Sequence, residues 1–186
     1  MAKIFVFRHG QTVDNIEHDF SGIHDVDLTQ AGIEEAEQIG EKLKNEPVTK
    51  AYQSNQIRSQ HTLQLVLNGW HKNVQIFTDS RIRERDYGDL TGLNKDALAR
   101  IDPKDFELWH RSYDTPPPNG ESIKNVEVRV LDFLNEIIPT WEKDDIIFIS
   151  THGNSIRPMR RYFEHLSIPE MCSFEHAPGK IYSYNI

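Results

Sequence analysis

A second cysteine is missing from this sequence. Cys172 stands alone among 186 residues, so no disulfide can form within the chain, and a reducing cytoplasm is the expected setting. Also missing is any apolar run near the roughly 20 residues that a membrane-spanning helix needs. The opening Met-Ala-Lys-Ile-Phe-Val-Phe-Arg-His-Gly has too short an apolar stretch for a signal peptide and no small-residue cleavage site, so it reads as a first strand. Basic charge is scarce: 21 Lys plus Arg against 29 Asp plus Glu leave a net charge of −8. That balance speaks against nucleic acid, which asks for a basic face, although a few arginines in a cleft still dominate its local potential. Despite nine histidines there is no His-Glu-x-x-His, no cysteine pair and no Asp-rich calcium loop, so no metal is expected. A Walker P-loop, a Rossmann glycine fingerprint and a Gly-x-Ser-x-Gly elbow are absent too, which removes the common nucleotide-binding and serine-hydrolase designs. Pro116-Pro117-Pro118 is the only proline-rich stretch and is too short to link domains.

What is present is an alternation of apolar runs and amphipathic stretches. Lys3 to Phe7 is short and mostly apolar, the pattern of a strand buried on both faces. Asp27 to Glu46 reads as a helix, with Ala31, Ile33, Ala36, Ile39 and Leu43 along one face and Thr29 placed to cap its start. Lys50 to Gln53 is a second short strand, a helix follows from about Gln56 to Trp70, and Val74 to Thr78 is a third strand. Glu121 to Trp141 is strongly amphipathic until Pro139 bends or ends it. Asp145 to Ser150 is the clearest buried strand, Asn154 to His165 the helix after it, and Ile181 to Asn185 an edge strand. Strands alternating with helices predict an α/β fold of three layers, with a mainly parallel sheet flanked by helices and residues 1–186 forming a single domain. In such sheets ligands collect at the carboxyl ends of the strands.

Polar clusters sit at those ends. Arg8-His9-Gly10-Gln11-Thr12 follows the first strand. A neutral imidazole is a competent nucleophile once a backbone acceptor holds its other ring nitrogen as N–H. The adjacent guanidinium suits two parallel hydrogen bonds to phosphate, and Gly10 would let the backbone approach the phosphate closely. Arg58 falls in the first turn of the next helix, where free N–H groups favour anions; by itself it reads equally well as a solvated helix arginine. His61 is read as packing beside it. His152 lies between an apolar strand and a helix, placed to donate to a transferring phosphoryl oxygen. Glu84 stands in the charged run Arg81 to Asp86. Most such runs are simply solvated; as a functional group it would protonate a leaving oxygen and deprotonate an incoming hydroxyl.

Together these segments resemble the histidine phosphatase superfamily and, within it, the cofactor-dependent phosphoglycerate mutases. Arg8-His9-Gly10-Gln11-Thr12 followed by Asn15 is similar to the superfamily's opening motif, and Phe20 to Thr29 to the segment after it, where Ser21 and Gly22 would touch phosphate or substrate. Arg58 matches the second phosphate arginine and His152 the second pocket histidine. Glu84 to Lys95 resembles the mutase stretch in which Tyr87 and Lys95 bind substrate, and Arg111 to Pro118 resembles the mutases' substrate-binding loop. His152 to Arg157 and Ala177 to Tyr184 are mutase-like as well. The chain departs from the pattern in three places. His110 stands where mutases usually carry the first of an arginine pair, Thr12 replaces a serine, and Asn119 alone separates Pro118 from Gly120-Glu121-Ser122 where mutases have a longer segment.

The resemblance implies interconversion of 3-phosphoglycerate and 2-phosphoglycerate through a phosphohistidine, primed by 2,3-bisphosphoglycerate and needing no metal. His9 would be the nucleophile; Arg8, Arg58, His152 and Asn15 would hold the moving phosphoryl group. Glu84 would exchange the proton, and Tyr87, Lys95, Arg111 and Asn154 would orient the glycerate. The alternatives are a phosphomonoester phosphatase with water as acceptor and a phospho-ligand-binding module without catalysis. A small phosphorylated substrate is the expected partner and a homo-oligomer is allowed; nucleic acid and membranes are not expected. His110, with an ordinary pKa of about 6.5, would make the substrate loop's charge pH-dependent. The short Pro118–Gly120 connection would leave phospho-His9 more open to water.

Overall fold

The computed structural model describes residues 1–68 and 74–186. β1 (Lys3–Arg8), β2 (Lys50–Gln53), β3 (Gln75–Thr78), β4 (Ile146–Thr151) and β5 (Ile181–Asn185) form one sheet of order β3-β2-β4-β1-β5. All neighbours run parallel except β5, which returns antiparallel along β1. Ile4, Val6, Ile147 and Ile149 point to one face, Phe5, Phe7 and Phe148 to the other, and all are buried. Burial on both faces is why these strands read as continuous apolar runs rather than alternating ones.

The helices are α1 (Val13–Glu17), α2 (Gln30–Leu43), α3 (Ile57–Leu67), α4 (Lys95–Ile101), α5 (Pro103–Arg111), α6 (Ile123–Ile137), α7 (Gly153–Glu164) and α8 (Ile168–Ser173). Ile39 and Leu43 of α2 and Leu63 and Val66 of α3 cover the phenylalanine face. Val126, Val130, Phe133 and Leu134 of α6, with Ile156 and Met159 of α7, cover the isoleucine face. This is the three-layer arrangement the sequence predicts. Among the described residues, no helix is long and apolar enough to cross a membrane.

Local chemistry sets the boundaries. α2 begins at Gln30 rather than Asp27 because Thr29 Oγ1 accepts from Gly32 N at 3.1 Å, which caps the helix there. α6 stops at Ile137, and Pro139 sits in the tight turn Ile138–Thr140 that follows. α3 is assigned to Leu67; the expected continuation to Trp70 lies outside the described residues.

The largest departure from the sequence reading is α4 and α5. Arg111, expected in a loop, is the last residue of a helix that Pro103 opens and Asp102 caps by accepting from Asp105 N at 3.2 Å. Neither helix buries any residue fully. Instead Leu98, Phe106 and Trp109 rest on a small cluster of Phe20, Tyr87 and Leu90 beside the carboxyl end of the sheet.

Candidate active site

The ends of three parallel strands bring His9, Ser54 and His152 together. His9 N donates to Thr151 O at 2.9 Å, which extends the β1–β4 ladder by one residue and seats the two histidines side by side. Their ring centroids are 5.0 Å apart. His9 Nδ1 lies 2.7 Å from Gly10 O. A carbonyl can only accept, so Nδ1 carries the proton and Nε2 keeps its lone pair. Burial and the guanidinium groups of Arg8 and Arg58 hold the His9 pKa well below the imidazole range, so the ring is neutral at neutral pH. His152 is pushed down in the same way, by burial, Arg58 and His9.

His152 Nε2 meets Ser54 Oγ at 2.7 Å, and Ser54 Oγ also accepts from Gln56 N at 3.2 Å. If the hydroxyl donates to Nε2, the proton of His152 is on Nδ1, a buried atom with no partner. Arg8 Nε and Arg58 Nε are buried and unpartnered as well. Unspent donors of this kind are costly unless a ligand uses them, and these three suit an anion.

Glu84 closes the group. Its Oε1 accepts from Arg85 N (2.8 Å), Asn154 N (3.2 Å) and Asn154 Nδ2 (3.1 Å). Ligating atoms of His9, Glu84 and His152 all lie within 4.8 Å of one another. Distance alone would admit a metal ion, but the flanking Arg8 and Arg58 charges oppose a cation and favour an anion. The charged run around Glu84 is thus not simply solvated. Glu84 and Arg85 are 7% and 0% exposed, while Arg81 pairs outward with Asp79, Asp132 and Glu136. Arg129 of α6 clamps the run from behind, donating to Arg83 O (3.0 Å) and Glu84 O (3.1 Å).

Arg8, Asn15, Ser21, Gly22, Glu84, Tyr87, Lys95, Arg111 and Asn154 line one cavity of about 390 Å³. A larger cavity, about 840 Å³ beside Leu131, Phe163 and Ile186, holds none of these groups. The individual placements refine the sequence reading. Arg58 gives one N–H of each terminal nitrogen to His24 O (2.6 Å) and Gly22 O (3.0 Å), which leaves Nε, the second N–H of each terminal nitrogen and the charge for a ligand. Asn15 Oδ1 is committed to Thr12 N at 3.1 Å. Tyr87 OH accepts from Asn154 Nδ2 at 3.1 Å, and Lys95 Nζ donates to Asp19 O. His61 pairs with Asp27 at 2.7 Å and has no place in the cavity.

Some expectations are corrected. At Gly10 the close approach that the structure shows is to α2: a Cβ there would fall 2.2 Å from Gly32 O, and one on Gly32 2.2 Å from Gln11 O. The glycine pair lets the start of α2 press on the loop that carries His9. His110 is not a switch near neutrality either. Burial, then Arg111, Lys95, Arg157 and Arg85, push its pKa down to about 3. Its ring packs against Phe106 and Phe20, with centroids 4.9 and 6.0 Å away.

Site residues the sequence reading missed are Ser54, Gln56, Arg85, Arg157, Glu175 and His176. Gln56 ties Glu84 N (2.8 Å) to Gly22 O (3.1 Å), and Arg85 donates to His110 O at 3.3 Å. His176 Nε2 meets Gly153 O at 2.7 Å, and burial with Arg157 and Arg8 lowers its pKa to about 3. Ser54 and Gln56 had a usable signal, lying directly after a strand that points into the site. Glu175 and His176 had none.

These neutral histidines predict an acid dependence of stability. In the unfolded chain each imidazole takes a proton at about pH 6.5, whereas in the folded state His9, His152, His110 and His176 resist it. The unfolded state then binds more protons below that pH, and stability falls as pH drops, by up to about 1.4 kcal/mol per pH unit for each fully resisted proton. The urea midpoint should decrease steadily from pH 7 to pH 5, above the range where carboxylates contribute. A midpoint that is flat or rises over that range would contradict the buried neutral assignment.

The family model of the histidine phosphatase superfamily (branch 1) matches residues 4–186. The chain is 39% identical over 188 residues to the 2,3-bisphosphoglycerate-dependent phosphoglycerate mutase of Nitrobacter winogradskyi, with 98% of this chain and 91% of that protein covered. Among solved structures, YhfR of Bacillus stearothermophilus is 25% identical with a TM-score of 0.88, covering 98% of this chain and 90% of that one. The alpha-ribazole phosphatase of Shigella flexneri shares the fold at 23% identity and a TM-score of 0.87, covering 99% and 90%. Paired neutral histidines, buried unspent arginine donors and a match along nearly the full length lead to one assignment: the chain belongs to the histidine phosphatase superfamily.

Proposed function

We propose that this enzyme is a phosphoglycerate mutase dependent on 2,3-bisphosphoglycerate, working through a phosphohistidine at His9. The observation that carries the reading is a cavity lined by more cations than one phosphate group needs. The buried Arg58 joins Arg8 beside His9, and Lys95, Arg111 and Arg157 line the same cavity as Arg8. A simple phosphomonoester needs only the first set, whereas phosphoglycerate carries a second anionic group for the other. The name of the Nitrobacter winogradskyi relative points the same way.

The bisphosphate supplies the phosphoryl group that primes His9. In the first half-reaction, the C2 hydroxyl of 3-phosphoglycerate attacks phosphorus, the N–P bond to His9 breaks, and Glu84 takes the hydroxyl proton. In the second, His9 Nε2 attacks the C3 phosphoryl group, and Glu84 returns the proton to the departing C3 oxygen. Arg8, Arg58 and His152 offset charge on the moving phosphoryl oxygens, with Asn15 beside them. Tyr87, Lys95, Arg111 and Asn154 hold the glycerate, so the two hydroxyls present in turn.

The hydrolytic reading keeps one specific observation in its favour. Pro118 O accepts from Asp89 N at 3.0 Å and Asn119 Nδ2 reaches the Asp89 carboxylate, so the short connection packs on the turn after Glu84 and lines no part of the cavity. Cover from water falls to the C-terminal segment around His176. We therefore expect isomerisation with measurable phosphate release. Phosphorus NMR of 3-phosphoglycerate, with and without 2,3-bisphosphoglycerate, reads both. Cofactor-stimulated 2-phosphoglycerate supports the mutase; inorganic phosphate as sole product would make the enzyme a phosphatase.

A further inference from the structure

Of the cations that line the cavity besides Arg8, two are committed to main-chain oxygens. Lys95 Nζ donates to Asp19 O, and Arg157 Nη1 to Met171 O (3.0 Å) and Cys172 O (2.9 Å). Arg111 differs. Its Nη1 makes one long contact to His110 O at 3.4 Å, and its Nη2 pairs with the carboxylate of Glu175. The same Glu175 oxygen is 4.0 Å from Arg157 Nη2.

Glu175 belongs to the segment after α8, and its neighbours in sequence are anchored on either side. The Phe174 ring lies under the Arg160 guanidinium at 4.0 Å, and His176 is bonded to Gly153 O at 2.7 Å. Glu175 itself is 71% exposed, so the backbone holds the carboxylate at the cavity rim while the side chain stays free to turn out. The pair is wet enough to open and close enough to the cavity for its charge to be felt inside.

We propose that Glu175 is a specificity gate. Its carboxylate occupies Arg111 in the empty cavity, and a phosphomonoester that carries a carboxylate must displace it, whereas one with a neutral tail need not. This rests on the reading that Arg111 faces the acid end of the glycerate. A ligand that binds only the open arrangement loses apparent affinity in proportion to the closed fraction. Removing the Glu175 charge while keeping its shape lifts that cost for one class of ligand only.

The test is calorimetric binding of 3-phosphoglycerate and of glycerol 3-phosphate, which has a hydroxymethyl group in place of the carboxylate. Both are titrated into His9→Ala protein, so that nothing turns over, with Glu175→Gln, Arg111→Ala and the pair added to that background. Expected is a dissociation constant for 3-phosphoglycerate about tenfold lower with Glu175→Gln, and one for glycerol 3-phosphate within about twofold. Once Arg111 is alanine, Glu175→Gln should add nothing. An unchanged 3-phosphoglycerate constant, equal tightening of both ligands, or a gain that persists without Arg111 overturns the gate alone. If Arg111→Ala weakens neither ligand and the parent protein binds both equally, the carboxylate subsite itself falls, and the gate with it.

Discussion

His9→Ala should abolish phosphoryl transfer, by roughly 10⁴-fold or more, and leave the fold in place. The chemical loss is complete because Nε2 of this ring is the atom that accepts phosphorus, and among the described residues no second nucleophile is set up like it. His152 is spent on Ser54 at 2.7 Å. The structural loss is small: one hydrogen bond to Gly10 O, about 1 kcal/mol in net terms. His9 is buried among polar groups and belongs to none of the hydrophobic clusters. Incubation with labelled 2,3-bisphosphoglycerate should give wild-type protein an acid-labile, base-stable phosphate and leave His9→Ala blank. Labelling of the variant at the wild-type level would move the nucleophile elsewhere.

Glu84→Gln should slow transfer by roughly 10²–10⁴-fold while the Michaelis constant changes little, the range in which general acid–base catalysis contributes. An amide oxygen can still accept from Arg85 N and from both Asn154 donors, so the local geometry survives the substitution. What is lost is the capacity to take a proton in one half-reaction and return it in the next. Steady-state kinetics in the mutase direction separates these effects. Near wild-type turnover would show that another group moves the proton; a large rise in the Michaelis constant with unchanged turnover would make Glu84 a binding residue instead.

The contrast between what was legible and what was not follows particular elements. β1 and β4 announce themselves because each is buried on both faces, and the histidines that end them were legible for the same reason. α2, α3, α6 and α7 each lay a stripe on the sheet, so their period survives in the residue order. α4 and α5 rest on a small cluster beside the site rather than on the sheet and bury no residue fully, although Phe106 and Trp109 stand one turn apart along α5. The charged run Arg81 to Asp86 was ambiguous because exposure of a charge depends on what packs over it. Arg81 faces Asp132 and Glu136 of α6, whereas Arg85, four residues on, is sealed between Glu121 O and His110 O.

By itself, the residue order determined the layered α/β fold and the strand ends that carry His9 and His152. These rest on local periodicity and on motifs only a few residues long, which chain neighbours specify, whereas Arg58 and Glu84 became candidates through the family resemblance along the whole chain. Tertiary structure alone decided the rest. It turned His110 from a titrating imidazole into a half-buried neutral ring, held at about pKa 3 by desolvation and by cations from four other positions. It tied the terminal nitrogens of Arg58 to Gly22 and His24, 36 and 34 residues away. It set Glu175 against Arg111 across 64 residues. Desolvation and charge pairing depend on distance in space, and distances between segments this far apart along the chain are set only when the whole sheet and its covering helices have packed.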